Sequence, residues 1–291
     1  MMTRRTLYRI AAFLPLFFWA AAQAAPYSQG LLWKVERSGQ APSYVFGTIH
    51  SEDARVLNLP KPVQNAFNGA KTYVMEAVVD ESALLGMSNA MMFSDGRGLK
   101  DVVSADTYAK TVAAMTNYGL PETATQLMQP WALAITLSTP KPQGGLVLDL
   151  MLMQQATVQL KQTAGLETLD EQVGIFAKLP MREQIILLDD TLQQLGRLDQ
   201  VLASLHTAYL ARDLAGMERI SEAQQALGNR ALGQKLMRKL VDQRNPRMVA
   251  RMEPYLKSGQ SFIAIGALHL PGEAGVLNLL AKKGYRVSVV Y

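Results

Sequence analysis

Two histidines in this chain stand in the same frame. Tyr44-Val-Phe-Gly-Thr-Ile-His50 and Phe262-Ile-Ala-Ile-Gly-Ala-Leu-His269 are each an apolar run followed by Gly-x-x-His, and the chain has only three histidines. Imidazole titrates near neutral pH and is the commonest metal ligand. If the two apolar runs are adjacent parallel strands, they lie about 4.8 Å apart. Two imidazoles at the same level can then reach one metal ion at about 2.0–2.1 Å per nitrogen. The alternative is a pair of buried strand-end histidines with satisfied hydrogen bonds. A glycine three residues before each histidine lets backbone or ligand approach where a side chain would intrude.

Glu76 is a candidate third member. It is the only charge in Tyr73-Val-Met-Glu-Ala-Val-Val79, and a buried carboxylate is costly unless it is paired or bound to a cation. The alternatives are an edge-strand position facing solvent, or an arginine pair. Two histidines and a carboxylate around an open position form a metal-hydrolase set, in which the ion polarises a carbonyl and acidifies water. His50, Glu76 and His269 are therefore the candidate metal ligands. Imidazole with carboxylate suits zinc, manganese or cobalt alike.

Arg244, in Asp242-Gln-Arg-Asn-Pro-Arg247, stands at a helix start and is, with Glu76, a candidate catalytic residue: it can meet an anionic group or an oxyanion there, or simply be a solvated helix end. Asp149 and Glu167 are acids in apolar surroundings, fit to hold an imidazole in place or to serve as a cap or ion pair. His206, mid-helix, reads as structural, and the 15 methionines read as core packing. There is no HExxH, P-loop, GxSxG or GxGxxG. That excludes the standard zincins, nucleotide kinases, α/β-hydrolases and dinucleotide oxidoreductases.

The elements that must position these residues cluster at both ends of the chain. Leu31 to Arg37 and Ser43 to Ile49 read as strands joined by a short Gly/Pro turn, an antiparallel hairpin. Leu59-Pro60-Lys61-Pro62 opens a helix, and Thr72 to Val79 is a third strand. Asp80 to Pro254 reads mostly as helices, including Leu146 to Gln162, with Thr139 to Gly145 as the clearest loop. A strand at Phe262, a helix from Gly272 to Lys283 and a strand at Tyr285 to Val290 form a β-α-β ending. The expected fold is α/β (α+β): a mixed central sheet built from both chain ends, with a large helical region between. Residues 26–79 and 261–291 supply the sheet core of a single domain, and residues 80–260 are mainly helical. The paired motifs require the Phe262 strand to lie beside the Tyr44 strand.

The first 25 residues resemble a cleavable signal. Arg4, Arg5 and Arg9 precede the apolar run Ile10 to Ala22, and Ala22-Gln23-Ala24 is an A-x-A cleavage site. The mature chain then carries 26 basic and 24 acidic side chains, so the basic balance of the whole sequence comes largely from the signal. Nothing in that balance points to nucleic acid. Zero cysteines exclude disulfides, a thiol nucleophile and thiolate metal sites. An exported, cysteine-free chain suits the bacterial periplasm or secretion, without a stable membrane anchor after cleavage.

The chain resembles the TraB/PrgY/GumN family, related to the Tiki metalloproteases and more remotely to the erythromycin-esterase and ChaN-like group. The resemblance rests on Leu32-Trp33-Lys34-Val35, the two Gly-x-x-His units, Glu76, Gly165-Leu-Glu-Thr168 with Glu171-Gln172, Arg244-Asn245-Pro246, and Leu270-Pro-Gly-Glu273 with Gly284-Tyr285. It implies a sheet core with an intervening helical region and, by analogy with the Tiki branch, a divalent-metal peptidase using His50, Glu76 and His269, with Arg244 matching a recurrent arginine. Other members are associated with shutting down a signalling peptide or with polysaccharide gene clusters, so fold is implied more firmly than activity. The expectation is an exported metal-dependent hydrolase acting on a peptide or protein substrate. The alternative is a non-catalytic periplasmic protein of the same fold that captures a peptide or partner through its helical block.

Overall fold

A computed structural model of the chain describes residues 26–141 and 144–291. The signal expected at residues 1–25, and two residues of the loop expected at Thr139 to Gly145, lie outside the described residues.

The chain opens with the expected hairpin. β1 (Leu32–Glu36) and β2 (Ser43–Thr48) pair antiparallel from Leu32 opposite Phe46 to Val35 opposite Ser43. Asp53 caps the short helix α1 (Ala54–Leu57) by accepting from the Arg55 N–H. Pro62 in the first turn of α2 (Lys61–Gly69) costs no hydrogen bond there. β3 (Thr72–Ala77) follows. The chain then leaves the sheet through α3 (Glu81–Met91), α4 (Ala105–Asn117, capped by Ser104), α5 (Glu122–Thr125), α6 (Pro130–Leu137) and α7 (Leu148–Val158).

Here the structure departs from the sequence reading. The helix ends at Val158, and Gln162–Glu167 is a strand, β4, paired parallel with β3. β4 is an edge strand whose first half is solvent-exposed. Its Gln-Thr-Ala-Gly start therefore lacks the apolar alternation of a half-buried strand, and its strand character comes from the neighbour it packs on.

A second helical run follows: α8 (Leu169–Ala177), α9 (Met181–Gln194), α10 (Leu198–Leu210), α11 (Leu214–Gln225) and α12 (Arg230–Met237). A π-helical stretch, Arg238–Asp242, leads directly into α13 (Arg244–Ser258). β5 (Ser261–Gly266), α14 (Val276–Lys282) and β6 (Arg286–Val289) close the chain.

The six strands form one sheet in the order β4-β3-β5-β2-β1-β6. β5 lies between β2 and β3, parallel to both, with Tyr44 opposite Phe262 and Thr48 opposite Gly266. The pairing required by the two motifs is thus present. β6 does not return to β5: α14 carries the chain to the far edge, where β6 pairs antiparallel with β1. Four parallel strands, β4, β3, β5 and β2, deliver their carboxyl ends to one edge of the sheet, the place where ligands bind in open α/β sheets. Glu167, Glu76, Gly266 and Thr48 sit there.

Central strands covered on both faces read as unbroken apolar runs, and Ser261 to Ile265 is buried throughout. The main core joins this sheet to Phe67 of α2, Leu152 of α7, Met217 of α11, Met248 and Met252 of α13 and Leu280 of α14. A separate core, around Leu99, Met115, Trp131, Leu133 and Leu188, holds the helical block together. A buried tyrosine fastens α10 to the sheet: Tyr209 Oη donates to the carbonyl of Gly47 at 2.9 Å.

Candidate functional site

The site is built on the carboxyl ends of the four parallel strands. Past β5 the chain makes a single 3-10 turn, Ala267–His269, which tucks the histidine back against the sheet edge with 5 % of its surface exposed. His269 Nδ1 lies 2.6 Å from Asn245 Oδ1, and Asn245 Nδ2 donates to the Ala274 carbonyl at 2.9 Å. The amide is therefore oriented with its oxygen toward the ring, so Nδ1 carries the proton and donates. Burial pushes the imidazole pKa below its ordinary value and keeps the ring neutral. Nε2 is then a bare lone pair. It faces Glu76 Oε1 at 3.6 Å, beyond hydrogen-bond distance. Two electron-rich atoms thus face each other, one on a buried ring and the other on a half-buried carboxylate.

His50 follows β2 and is held differently. Its Nδ1 lies 2.7 Å from Asp149 Oδ2 at the start of α7, and its side chain is 81 % exposed. Thr48 Oγ1 donates to the other carboxylate oxygen of Asp149 at 2.7 Å. Burial opposes the charge on Asp149, but the hydrogen bonds from His50 and Thr48 hold its carboxyl below the ordinary range. The bond to Asp149 raises the His50 pKa in turn, and the Glu76 carboxylate adds to that rise. Nδ1 is occupied by the acid, which leaves Nε2 as the free nitrogen here too.

Glu76 lies on β3, an interior strand, so the edge-strand reading does not hold. Its Oε1 accepts from the Gly266 N–H at 2.6 Å, and its Oε2 accepts from Arg244 Nη2 at 2.6 Å and from Gln172 Nε2 at 3.2 Å. The arginine pair is therefore realised. Arg244 is buried, not solvated. α13 starts at Arg244 as expected, directly after the π-helical stretch, and what Arg244 brings to the site is its guanidinium. Nε donates to Glu167 Oε2 at 2.8 Å, and Nη1 to the Leu240 carbonyl at 2.9 Å. Burial works against its charge, but Glu76 and Glu167 together raise its pKa further.

Glu167 therefore serves an arginine pair and holds no imidazole: Arg247 Nη2 reaches its other oxygen at 2.5 Å, and its side chain has no solvent exposure. Burial would raise its pKa, but the two guanidinium groups hold it below the ordinary value. Asp149 does lie on an imidazole, that of His50. His206 sits half-buried within α10. Asn245 and Gln172 stand in the motifs that carry the resemblance but, like Arg247, have no role assigned from the sequence. Their cue is helical: Asn245 is next to Arg244, and Gln172 lies on α8 behind a Thr168/Glu171 capping box.

The glycines differ in purpose. A Cβ on Gly47 would meet Leu270 Cδ1 at 2.7 Å and the backbone of Ala267 at 3.2 Å, so this glycine lets the second motif's turn pack over the first strand. A Cβ on Gly266 would meet Glu76 Oε1 at 3.2 Å, so that glycine lets the carboxylate reach the backbone N–H.

Among the described residues, no three His, Asp or Glu side chains already stand together at metal-ligand spacing. Glu76 has both oxygens engaged, by the Gly266 N–H and by Arg244. In kind, the donors fit a divalent ion: two imidazoles whose Nδ1 atoms are fixed by oxygen acceptors, one of them with a buried bare Nε2 facing a carboxylate oxygen.

A model of the TraB/PrgY/gumN family matches residues 31–289. The chain belongs to this family. Among TraB/PrgY/gumN-like relatives, it is 26 % identical to "Metalloprotease TIKI1" of Danio rerio, over 88 % of this chain and 62 % of that protein. It is 26 % identical to "Metalloprotease TIKI1" of Homo sapiens, over 88 % and 61 %, and 23 % identical to "Metalloprotease TIKI homolog" of Nematostella vectensis, over 89 % and 66 %. The chain thus spans about three-fifths of the length of the TIKI1 proteins it matches. No solved structure matches it. Among the described residues, no helix is long and apolar enough to cross a membrane.

Proposed function

We propose that this protein is an exported metal-dependent hydrolase whose substrates are peptides. The observation that carries the reading is His269 Nε2 facing Glu76 Oε1 at 3.6 Å while Nδ1 is turned to the Asn245 amide oxygen, an arrangement that asks for a cation between the two atoms. The names of the relatives support the same class. His50, Glu76 and His269 would hold the ion, be it zinc, manganese or cobalt. When bound, such an ion supplies Lewis acidity toward a scissile carbonyl and acidifies water at neutral pH.

The chain's own residues do the rest. Asp149 and Asn245 fix the tautomers, so both Nε2 atoms stay available. Glu167 and the Leu240 carbonyl hold Arg244 from behind, which leaves Nη2 turned toward Glu76. In that position the guanidinium can stabilise negative charge developing on a carbonyl oxygen without first reorganising. Glu76 is a ligand in this scheme, and Arg244 is its counter-charge until an ion binds.

The test is cleavage of a peptide library by the purified chain, with metal content measured on the same sample. Cleavage should stop with chelator and return with one of the three ions, and the ion should be lost from a His50→Ala/His269→Ala double variant. Metal content unchanged in that variant, or cleavage indifferent to chelator, would overturn the reading. Export is tested by intact mass, with the mature chain expected to begin at Ala25 or Pro26.

A further inference from the structure

The helical block contains a cavity of about 360 Å³ that the site does not use. Its walls are mostly apolar and come from α6, α8, α9, α10, α12 and the π-helical stretch; Phe176, Leu198, Val201, Leu202, Leu232 and Leu240 are among them. Four polar residues of the lining are engaged with one another. Asp190 accepts from the Asn229 N–H at 2.6 Å, and Gln224 donates to Gln194.

Two of the walls connect to the site through their own helices. Phe176 lies one helical turn beyond Gln172 on α8, and Gln172 donates to both Glu76 and Glu167. Residues four apart share a helix face, and one turn rises about 5.4 Å. Leu240 supplies the carbonyl that anchors Arg244 Nη1. The cavity therefore begins about one helical turn from the Glu76–Arg244 pair. Its volume lies within the range of about 300–1,000 Å³ usual for ligand pockets.

We infer that this cavity is a specificity pocket that takes a large apolar side chain, aliphatic or aromatic, from a peptide whose backbone lies across the ends of β3 and β5. This rests on the peptidase reading. The occupant follows from three facts: the lining is mostly apolar, four of its polar residues are taken up by hydrogen bonds to one another, and Leu240 joins the cavity wall to Arg244, which would handle a peptide carbonyl. An apolar side chain gains by leaving water for such a space, whereas a polar one would lose hydrogen bonds that the pocket does not replace.

The experiment uses the full chain loaded with the metal that supports its activity. Two short fluorescent peptides are compared, identical except for Leu-Phe or Ser-Ser at the position flanking the cleaved bond. Val201→Trp fills the cavity from the half-buried face of α10. Leu198→Asn polarises its wall without adding volume, in case the larger side chain prevents folding. Both changes should leave metal content unchanged and lower kcat/KM for the Leu-Phe peptide by about 10–200-fold, the range set by small misfits in apolar pockets. Activity on the Ser-Ser peptide should stay where it is. Cleavage with the apolar preference intact in both variants overturns the pocket and leaves the peptidase reading standing. If no peptide is cleaved, but the Leu-Phe peptide binds the parent chain and not the variants, the pocket stands and the peptidase reading falls. Binding that is absent, or that both variants leave unaltered, together with no cleavage, overturns both.

Discussion

The two Gly-x-x-His units are nearly the same in sequence and lie on neighbouring parallel strands one residue out of register, with Gly47 opposite Ile265 and Thr48 opposite Gly266. Their histidines nevertheless live in opposite surroundings. His50 is open to solvent, is held by a carboxylate, and has a raised pKa. His269 is buried, is held by a neutral amide, and has a lowered one. The strand motif sets where each imidazole stands. The helix packed behind it, α7 in one case and α13 in the other, holds its Nδ1, while Asp149 raises the pKa of His50 and burial lowers that of His269. One rim of the site is thus a wet, basic imidazole and the other a dry, neutral one, and Glu76 is common to both.

The largest effect should come from removing what the two share. Glu76→Gln preserves shape and keeps an acceptor for the Gly266 N–H. If Glu76 is a ligand, as this account holds, the variant binds metal more weakly and loses hydrolysis. If it is a general base instead, metal content stays and hydrolysis falls by about 10²–10⁴-fold. Metal stoichiometry and turnover on one sample separate the two, and no change in either would remove Glu76 from the site.

Next come the glycines, which test whether the two units are interchangeable. Gly47→Ala presses on Leu270 and on the Ala267 backbone, so it should cost about 1–3 kcal/mol, as overpacking usually does. Gly266→Ala presses only on the Glu76 carboxylate and meets the His269 ring edge at ordinary contact distance. It should cost less stability than Gly47→Ala and more activity. Urea denaturation beside peptide turnover checks both, and equal stability losses would mean the two glycines do the same thing.

A smaller effect concerns charge. Asp149→Asn should bring the His50 pKa down toward the ordinary value and leave His269 unmoved, as seen in the ring-proton resonances of metal-free protein. The sign for stability follows. Because the folded pKa of His50 is raised, the His50–Asp149 bond stabilises fully below the ordinary histidine pKa. That contribution fades as pH rises through the raised value. The stability gap between parent and Asp149→Asn should narrow over that interval.

The smallest effect lies outside both units. Arg251 grips Glu171, the capping-box acid of α8, at 2.7 and 2.9 Å, and its hydrogen bonds hold the Glu171 pKa at about 2. With a depressed folded pKa, that contribution is present above the ordinary glutamate value near 4.5 and is lost as pH falls toward about 2. The melting temperatures of parent and Glu171→Gln should converge across that interval. This pair anchors the helix that carries Gln172 and Phe176, and so steadies the helix that touches both the site and the cavity.

How much of this was legible beforehand follows a physical line. The hairpin, β3, β5 and the convergence of the two motifs were readable because buried central strands are written as unbroken apolar runs that end in glycine. β4 was not, because Gln162 to Gly165 is exposed and carries no pattern until Leu166. The return of β6 to the far edge could not be read either, since a β-α-β sequence does not say which strand the last one joins. At the site, the ligand candidates stood out as rare residues in apolar stretches. Their supports did not. Asn245 and Gln172 are ordinary polar residues on helices, and their significance comes from tertiary placement alone. Arg244 was legible as the start of α13, but its burial between Glu76 and Glu167 was not, because those partners come from distant strands.

We propose that the Nε2 atoms of His50 and His269, with Glu76, make one cation site. Nitrogen-resolved NMR of the histidine rings during a zinc titration tests it most directly. Metal-free protein should show His269 with its proton on Nδ1 and a bare Nε2. One equivalent of zinc should move both Nε2 resonances together, while both Nδ1 protons remain. A proton on His269 Nε2, or two histidines that respond at different zinc equivalents, would contradict the account.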